Sequence, residues 1–201
     1  MQLWDYEQQA AQQGYRLVCG CDEAGAGPLA GPVYAAAVIL KEESCIPGLN
    51  DSKKLTERKR EQLFPLIQAE ACAWAVASVS AEEIDQTDIL SARMKAMQMA
   101  IDALHCKADF ALIDGNRDHG KTAAIVTPHI CIVKGDSLSA SVAAASVLAK
   151  VSRDHWMLEM AQKYPQYGFE QHKGYGTKAH YQALREFGPS PIHRRTFLKN
   201  L

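Results

Sequence analysis

No stretch of this chain approaches the roughly 18 consecutive apolar residues that a membrane-spanning helix needs, and residues 1–16 are polar and helix-like, without the apolar segment of a secretory leader. A cytoplasmic protein is expected. The six cysteines, Cys19, Cys21, Cys45, Cys72, Cys106 and Cys131, contain no C-x-x-C pair. Zinc-ligand spacing is therefore absent, and buried, reduced thiols are expected. There is no internal repeat and no low-complexity tract. Nor is there an overall excess of positive charge: 22 Lys and Arg against 23 Asp and Glu leave a formal net charge of −1. Any binding of a polyanion must rest on locally gathered cations.

What remains is ordinary for a globular protein, with 47% hydrophobic and 22% charged residues over 201 positions. Leu17 to Cys21 reads as a short strand entering a Gly/Pro-rich bend from Gly25 to Pro32. Val33 to Leu40 is a continuous apolar run of strand length. Thr56 is placed to cap a helix from Glu57 to about Ala71, with Pro65 expected to kink or break it. Ala73 to Val79 reads as a strand. Helices follow at Ala81 to Thr87 and Ile89 to His105, then short strands at Phe110 to Ile113 and Ile130 to Val133. An alanine-rich helix runs from about Ser139 to Lys163. The pattern predicts an α/β fold: a mixed β-sheet covered by helices, with residues 1–163 as its main domain. The polar, basic residues 164–201, punctuated by Gly and Pro, are expected to form a small helical extension.

Three predicted strands end in acids: Asp22 with Glu23, Asp114, and Asp136. Ligands of sheet proteins gather where strands end. Carboxylates converging there repel one another unless cations sit among them. An all-oxygen donor set selects hard ions, Mg²⁺ or Mn²⁺, rather than Zn²⁺. Two such ions can activate a water and stabilise the leaving oxygen of a phosphodiester. Adjacent strand residues point to opposite faces, so Asp22 and Glu23 share a site only if the strand bends there. Taken singly, Asp114 before Gly115 also suits a turn, and Asp136 before Ser137 suits a helix cap. Asp154, fifteen residues along the long helix, lies roughly 22 Å from its start and is expected to pair with Arg153 or Lys150 instead.

Several segments together resemble a known family. They are Gly20-Cys21-Asp22-Glu23-Ala24-Gly25-Ala26-Gly27-Pro28-Leu29-Ala30-Gly31-Pro32-Val33, Leu49-Asn50-Asp51-Ser52-Lys53-Lys54-Leu55, Leu112-Ile113-Asp114-Gly115-Asn116, Lys134-Gly135-Asp136-Ser137, Ala143 to Asp154, Gln166 to Tyr175, and His193-Arg194-Arg195-Thr196-Phe197. In this order they resemble bacterial ribonuclease HII. The resemblance implies a ribonuclease H-like fold with a C-terminal helical extension and Mg²⁺ or Mn²⁺ as cofactor. It implies endonucleolytic cleavage on the 5′ side of a ribonucleotide, leaving 3′-hydroxyl and 5′-phosphate ends. RNA–DNA hybrids and single ribonucleotides embedded in duplex DNA are the implied substrates. By motif match the catalytic and metal-binding acids fall on Asp22, Glu23, Asp114 and Asp136, the first three being the firmer ligands.

Substrate contacts are expected from Gly25, Ala26 and Gly27, whose turn would approach the ribose 2′-hydroxyl, from Lys54, and from Tyr175, which the resemblance places on the sugar beside the scissile junction. The family usually carries arginine at the position of Ala26, so a phosphate clamp is missing. Lys53, Lys134, His172, Lys173, Lys178, Arg194 and Arg195 could add phosphate contacts. His105, His119, His129, His155 and His180 lack metal-ligand spacing. A monomer without membrane contact is expected. Two other readings stay open: a DNA nuclease with the same acidic cage, and a binding-only homologue weakened by Ala26.

Overall fold

The computed structural model describes residues 3–42, 44–116 and 125–199; His119 lies outside them. A short helix, α1 (Asp5–Gln12), precedes two antiparallel strands, β1 (Val18–Ala24) and β2 (Val33–Leu40). Helix α2 (Glu57–Glu70) follows, capped by the Thr56 side chain, which accepts from the Lys59 N–H. It leads into β3 (Ala71–Val79), then α3 (Ala81–Gln86), α4 (Ile89–Asp102), β4 (Phe110–Asp114) and β5 (His129–Ile132). The long α5 (Ala140–Lys163) comes next, and then two short helices, α6 (Phe169–His172) and α7 (Lys178–Phe187). Pro65 does not break α2, which continues through it.

The five strands form one sheet in the order β3-β2-β1-β4-β5. β1 pairs antiparallel with β2 and parallel with β4, and β4 pairs parallel with β5. The sheet is covered on both faces, and the alternation of side chains along each strand assigns residues to the layers. Cys19, Cys21, Ala35, Ala37, Ile39, Ala111 and Ile113 pack with Met94, Met97 and Ala100 of α4. Ala36, Val38 and Leu40 face the other way, toward Leu63 and Ile67 of α2 and the alanines of α5. The double covering explains why β2 reads as an unbroken apolar run.

Small residues let α5 lie directly on the sheet. A Cβ added at Gly20 would stand 2.2 Å from the Ser141 carbonyl carbon, so this position in β1 has room only for glycine. Ser139 caps α5 through its hydroxyl. Lys150 and Asp154 pair at 2.6 Å within it, as their spacing predicts. A separate apolar cluster joins Leu29 and Ala30, from the β1–β2 connection, to Met157 and Ala161 of α5 and to Tyr167, Phe169, Ala183 and Leu184. The segment from Tyr167 to Leu198 is thus packed onto the turn that follows β1. The thiols correct one expectation: Cys19 and Cys21 are buried, but Cys45 and Cys72 are exposed.

Candidate active site

Register brings the acids together. β1 and β4 run parallel with Cys21 opposite Ile113, so the next residues, Asp22 and Asp114, are neighbours on the face opposite those two core side chains. β5 leaves the sheet beside Asp114 and reverses at Lys134, a non-glycine residue in the left-handed conformation (φ 59°, ψ 41°). This reversal turns the Gly135 N–H onto Asp114 Oδ1 at 2.7 Å and carries Asp136 over the strand ends. One carboxylate oxygen from each of Asp22, Asp114 and Asp136 lies within 4.8 Å of the others.

Glu23 is not part of this three-aspartate group. β1 stays paired with β2 through Glu23 and Ala24, so the bend that would turn both acids to one side does not occur. Glu23 instead faces α4, where Arg93 Nη2 stands 2.6 Å from its Oε1. Its other oxygen, Oε2, is buried and has no hydrogen-bond partner. The Glu23 N–H donates to Asp22 Oδ1 at 2.7 Å, which ties the two neighbours together.

The electrostatics are those of a cage short of positive charge. Burial pushes the Asp22 carboxyl well above the ordinary range, and the Glu23 and Asp114 charges push it further. Burial raises Glu23 as well, against the pull of Arg93. Asp136 rises to about 6 through burial, the nearby charge of Asp114, and Asp51, whose carboxyl is close enough to hydrogen-bond it. Lys53 partly answers this charge. Its ammonium lies 3.7 Å from Asp136 Oδ2, and although burial opposes its protonation, Asp22, Asp136 and Asp114 raise its pKa. The residues fit a hard divalent cation: three converging carboxylates, a fourth with a buried unpartnered oxygen, and no nitrogen or sulfur donor among them.

The expected substrate contacts gather along the same edge. Lys54 Nζ donates to Ser137 Oγ at 2.9 Å, one residue beyond Asp136. Tyr175 is 46% exposed, and its Cε1 would lie 3.9 Å from a Cβ placed on Gly27. Gly25 has φ +93°, and a Cβ there would overlap Arg153 Nε at 2.0 Å, so only glycine fits. Arg194 is a correction: it is not part of a wet basic patch but is fully buried. Its Nη2, Nη1 and Nε donate to the carbonyls of Gly25 (2.6 Å), Ala26 (2.8 Å) and Gly31 (2.9 Å). Arg153, also buried, donates to Pro32, Ala30 and Lys173 carbonyls at 3.1 Å each. His180, expected to lack a metal-ligand role, joins His193 beneath Tyr175: their Nε2 atoms are 2.9 Å apart and His180 Nδ1 is 2.9 Å from the Tyr175 carbonyl.

Sequence reasoning missed Arg93, the pairing of Lys53 with Asp136 and the structural role of Arg194. Arg93 carried a signal, being a charge among the core residues Ala92, Met94, Ala96 and Met97 of α4. Arg194 carried none, because His193-Arg194-Arg195 reads as a solvated basic end.

Comparison with known proteins places this geometry. The sequence profile of the family described as Ribonuclease HII matches residues 19–200. A ribonuclease HII of Dechloromonas aromatica is 56% identical over 181 residues, covering 90% of each chain. Among solved structures, the ribonuclease H2 of Pyrococcus horikoshii superposes with a TM-score of 0.75 at 28% identity, covering 90% of this chain and 93% of its own. The ribonuclease HII of Archaeoglobus fulgidus, solved in complex with PCNA, gives 0.76 at 25% identity, covering 90% and 94%.

Proposed function

The chain belongs to the ribonuclease HII family, a family of metal-dependent endonucleases acting on RNA-containing nucleic acid, and from that premise we propose that it cleaves RNA–DNA hybrids and duplex DNA carrying single ribonucleotides. The cut falls on the 5′ side of the ribonucleotide and leaves 3′-hydroxyl and 5′-phosphate ends. The observation that carries this reading is the approach of Asp22, Asp114 and Asp136 to within 4.8 Å of one another, beside a glycine-bounded turn and an exposed tyrosine.

Asp22, Asp114 and Asp136 would hold Mg²⁺ or Mn²⁺, while Glu23, expected as a fourth ligand, is turned toward Arg93 and would add negative charge beside them rather than a donor among them. Bound there, the cation supplies Lewis acidity, lowering the pKa of a water and stabilising the departing 3′ oxygen. The chain itself orients. Asp136, facing Lys53 and Asp51, is placed to align the attacking water. Lys53 and Lys54 offset phosphate charge at the mouth of the cage. The 25–27 turn approaches the ribose 2′-hydroxyl, and the Tyr175 ring packs against the sugar. That hydroxyl is a recognition element and not the nucleophile, because a 5′-phosphate product requires attack by water. We place the protein in the cytoplasm as a monomer, with residues 164–201 acting as a substrate-contacting extension.

One assay tests the proposal: a duplex with one embedded ribonucleotide beside an all-DNA control, each with and without Mn²⁺. Metal-dependent cutting confined to the ribonucleotide is expected. Equal nicking of both duplexes would make the chain a general DNA nuclease. Binding without product would make it a binding-only homologue.

A further inference from the structure

The buried guanidinium of Arg194 has no carboxylate within 4.0 Å among the described residues. Its partners are backbone carbonyls of the turn between β1 and β2. A buried charge left without a counter-ion is costly. Three charge-assisted bonds to one turn therefore fix that turn strongly. Burial lowers its pKa to about 9, which leaves it cationic at neutral pH. The same residue's N–H donates to the Leu29 carbonyl at 2.9 Å, and Gly31 N–H donates to the Ile192 carbonyl at 2.8 Å. The segment around Arg194 clasps the turn from beneath.

A trans peptide holds its C=O and N–H on opposite sides of one plane, and no cis peptide is present. Drawing the Gly25 and Ala26 carbonyls inward onto Arg194 therefore directs the N–H groups of Ala26 and Gly27 the opposite way. Gly27 is exposed and Ala26 half-buried. Neither amide has a hydrogen-bond partner among the described residues. Tyr175 stands beside Gly27, and Asp22 is four residues before Ala26.

We propose that Arg194 is a positioning residue for ribose selection: by holding two carbonyls inward it fixes the Ala26 and Gly27 N–H groups outward as a paired donor for the oxygen of a 2′-hydroxyl. Arg194 touches no substrate and acts through the turn. A lysine would keep the charge but could not hold the three carbonyls in the same fork. This inference rests on the proposed ribonucleotide specificity.

The test is a cycle between protein and substrate. Wild type and Arg194→Lys are compared on duplexes carrying 2′-hydroxyl, 2′-fluoro or 2′-hydrogen at the junction, reading binding affinity with each and cleavage with the first. The lysine variant is expected to lose about 100-fold in kcat/KM on the ribonucleotide duplex, to bind the 2′-hydrogen duplex like wild type, and to keep its Mn²⁺ affinity. Equal loss on all three duplexes would assign the amides to a phosphate and overturn the proposal. So would unchanged discrimination in a folded variant. A second measurement needs no change at Arg194: in Asp136→Asn protein kept free of divalent cations, so that the substrate stays intact, the Ala26 and Gly27 amide resonances should shift with the ribonucleotide duplex and not with all-DNA. Their failure to shift also overturns it. If wild type itself shows no ribose preference, the functional reading fails instead, a separable outcome.

Discussion

Arg93 of α4 and Glu23 of β1 meet at 2.6 Å across the face of the sheet opposite the three aspartates. The pairing leaves Glu23 Oε2 and Arg93 Nε buried and unpartnered. Arg93 thus supplies positive charge that opposes the upward push of burial on the Glu23 carboxyl. Replacing it with methionine should destabilise the metal-free protein by about 1–3 kcal/mol, the cost of leaving a largely buried charge unpaired. Mn²⁺ should recover part of that loss, so the rise in melting temperature on adding Mn²⁺ is larger in Arg93→Met than in wild type. An equal or smaller rise counts against the role.

Substituting Asp22, Asp114 or Asp136 with asparagine should lower cleavage by more than about 100-fold, since groups that merely orient metal ligands already cost 10–100-fold. The metal-free variants should melt no lower than wild type, and Asp136→Asn higher at pH 7, because each removes repulsion. The sign follows from Asp136, raised to about 6. Between the ordinary carboxyl value and 6 the folded protein holds a proton that the unfolded chain has released. This group's contribution to metal-free stability therefore grows as pH falls through 6. Mn²⁺ affinity should move the other way, weakening below pH 6 as protons compete. Calorimetric titration at pH 5, 6 and 7 checks both.

Tyr175→Ala should change the melting temperature little, because the ring is 46% exposed. Cleavage at a single ribonucleotide should fall at least about tenfold, the scale of one stacking contact. Parallel loss of stability and activity would assign the ring to packing.

His193 is held at about 4 by burial and by His180 beside it. The unfolded chain takes up a proton near 6.5 that the folded protein refuses until about 4. The stability of this arrangement is therefore complete above 6.5 and lost as pH falls through that window. Metal-free His193→Gln should show a shallower fall in melting temperature between pH 6.5 and 4.5 than wild type. Identical slopes would place the titration elsewhere.

Ala26→Arg should increase kcat/KM on the single-ribonucleotide duplex by about 1–2 orders of magnitude through a bidentate phosphate contact. The Ala26 carbonyl is already fixed by Arg194, so the new side chain need not disturb the turn. No change in kcat/KM would show that a phosphate clamp at this position is dispensable here.

The unbroken apolar run of β2, the cap at Thr56 and the pairing of Lys150 with Asp154 were all legible in the sequence, because each is a local relation. Asp22, Asp114 and Asp136 were legible as strand-end acids, and the parallel register of β1 with β4 is what joins them. The side taken by Glu23 depended on whether β1 bends, which is decided by its continued pairing with β2 and by Arg93, seventy positions away in sequence. Arg194 was misread for the same physical reason. Its partners are backbone carbonyls, and no residue type in the sequence advertises a carbonyl awaiting a donor.

Those carbonyls lie 168 and 169 positions before Arg194. During synthesis, a growing chain can lay down all five strands and gather its aspartates long before it can fasten the loop between the first two. Chemistry and discrimination therefore mature at different times: a polypeptide cut short just before Arg194 would keep its acids while its ribose-facing loop went untied.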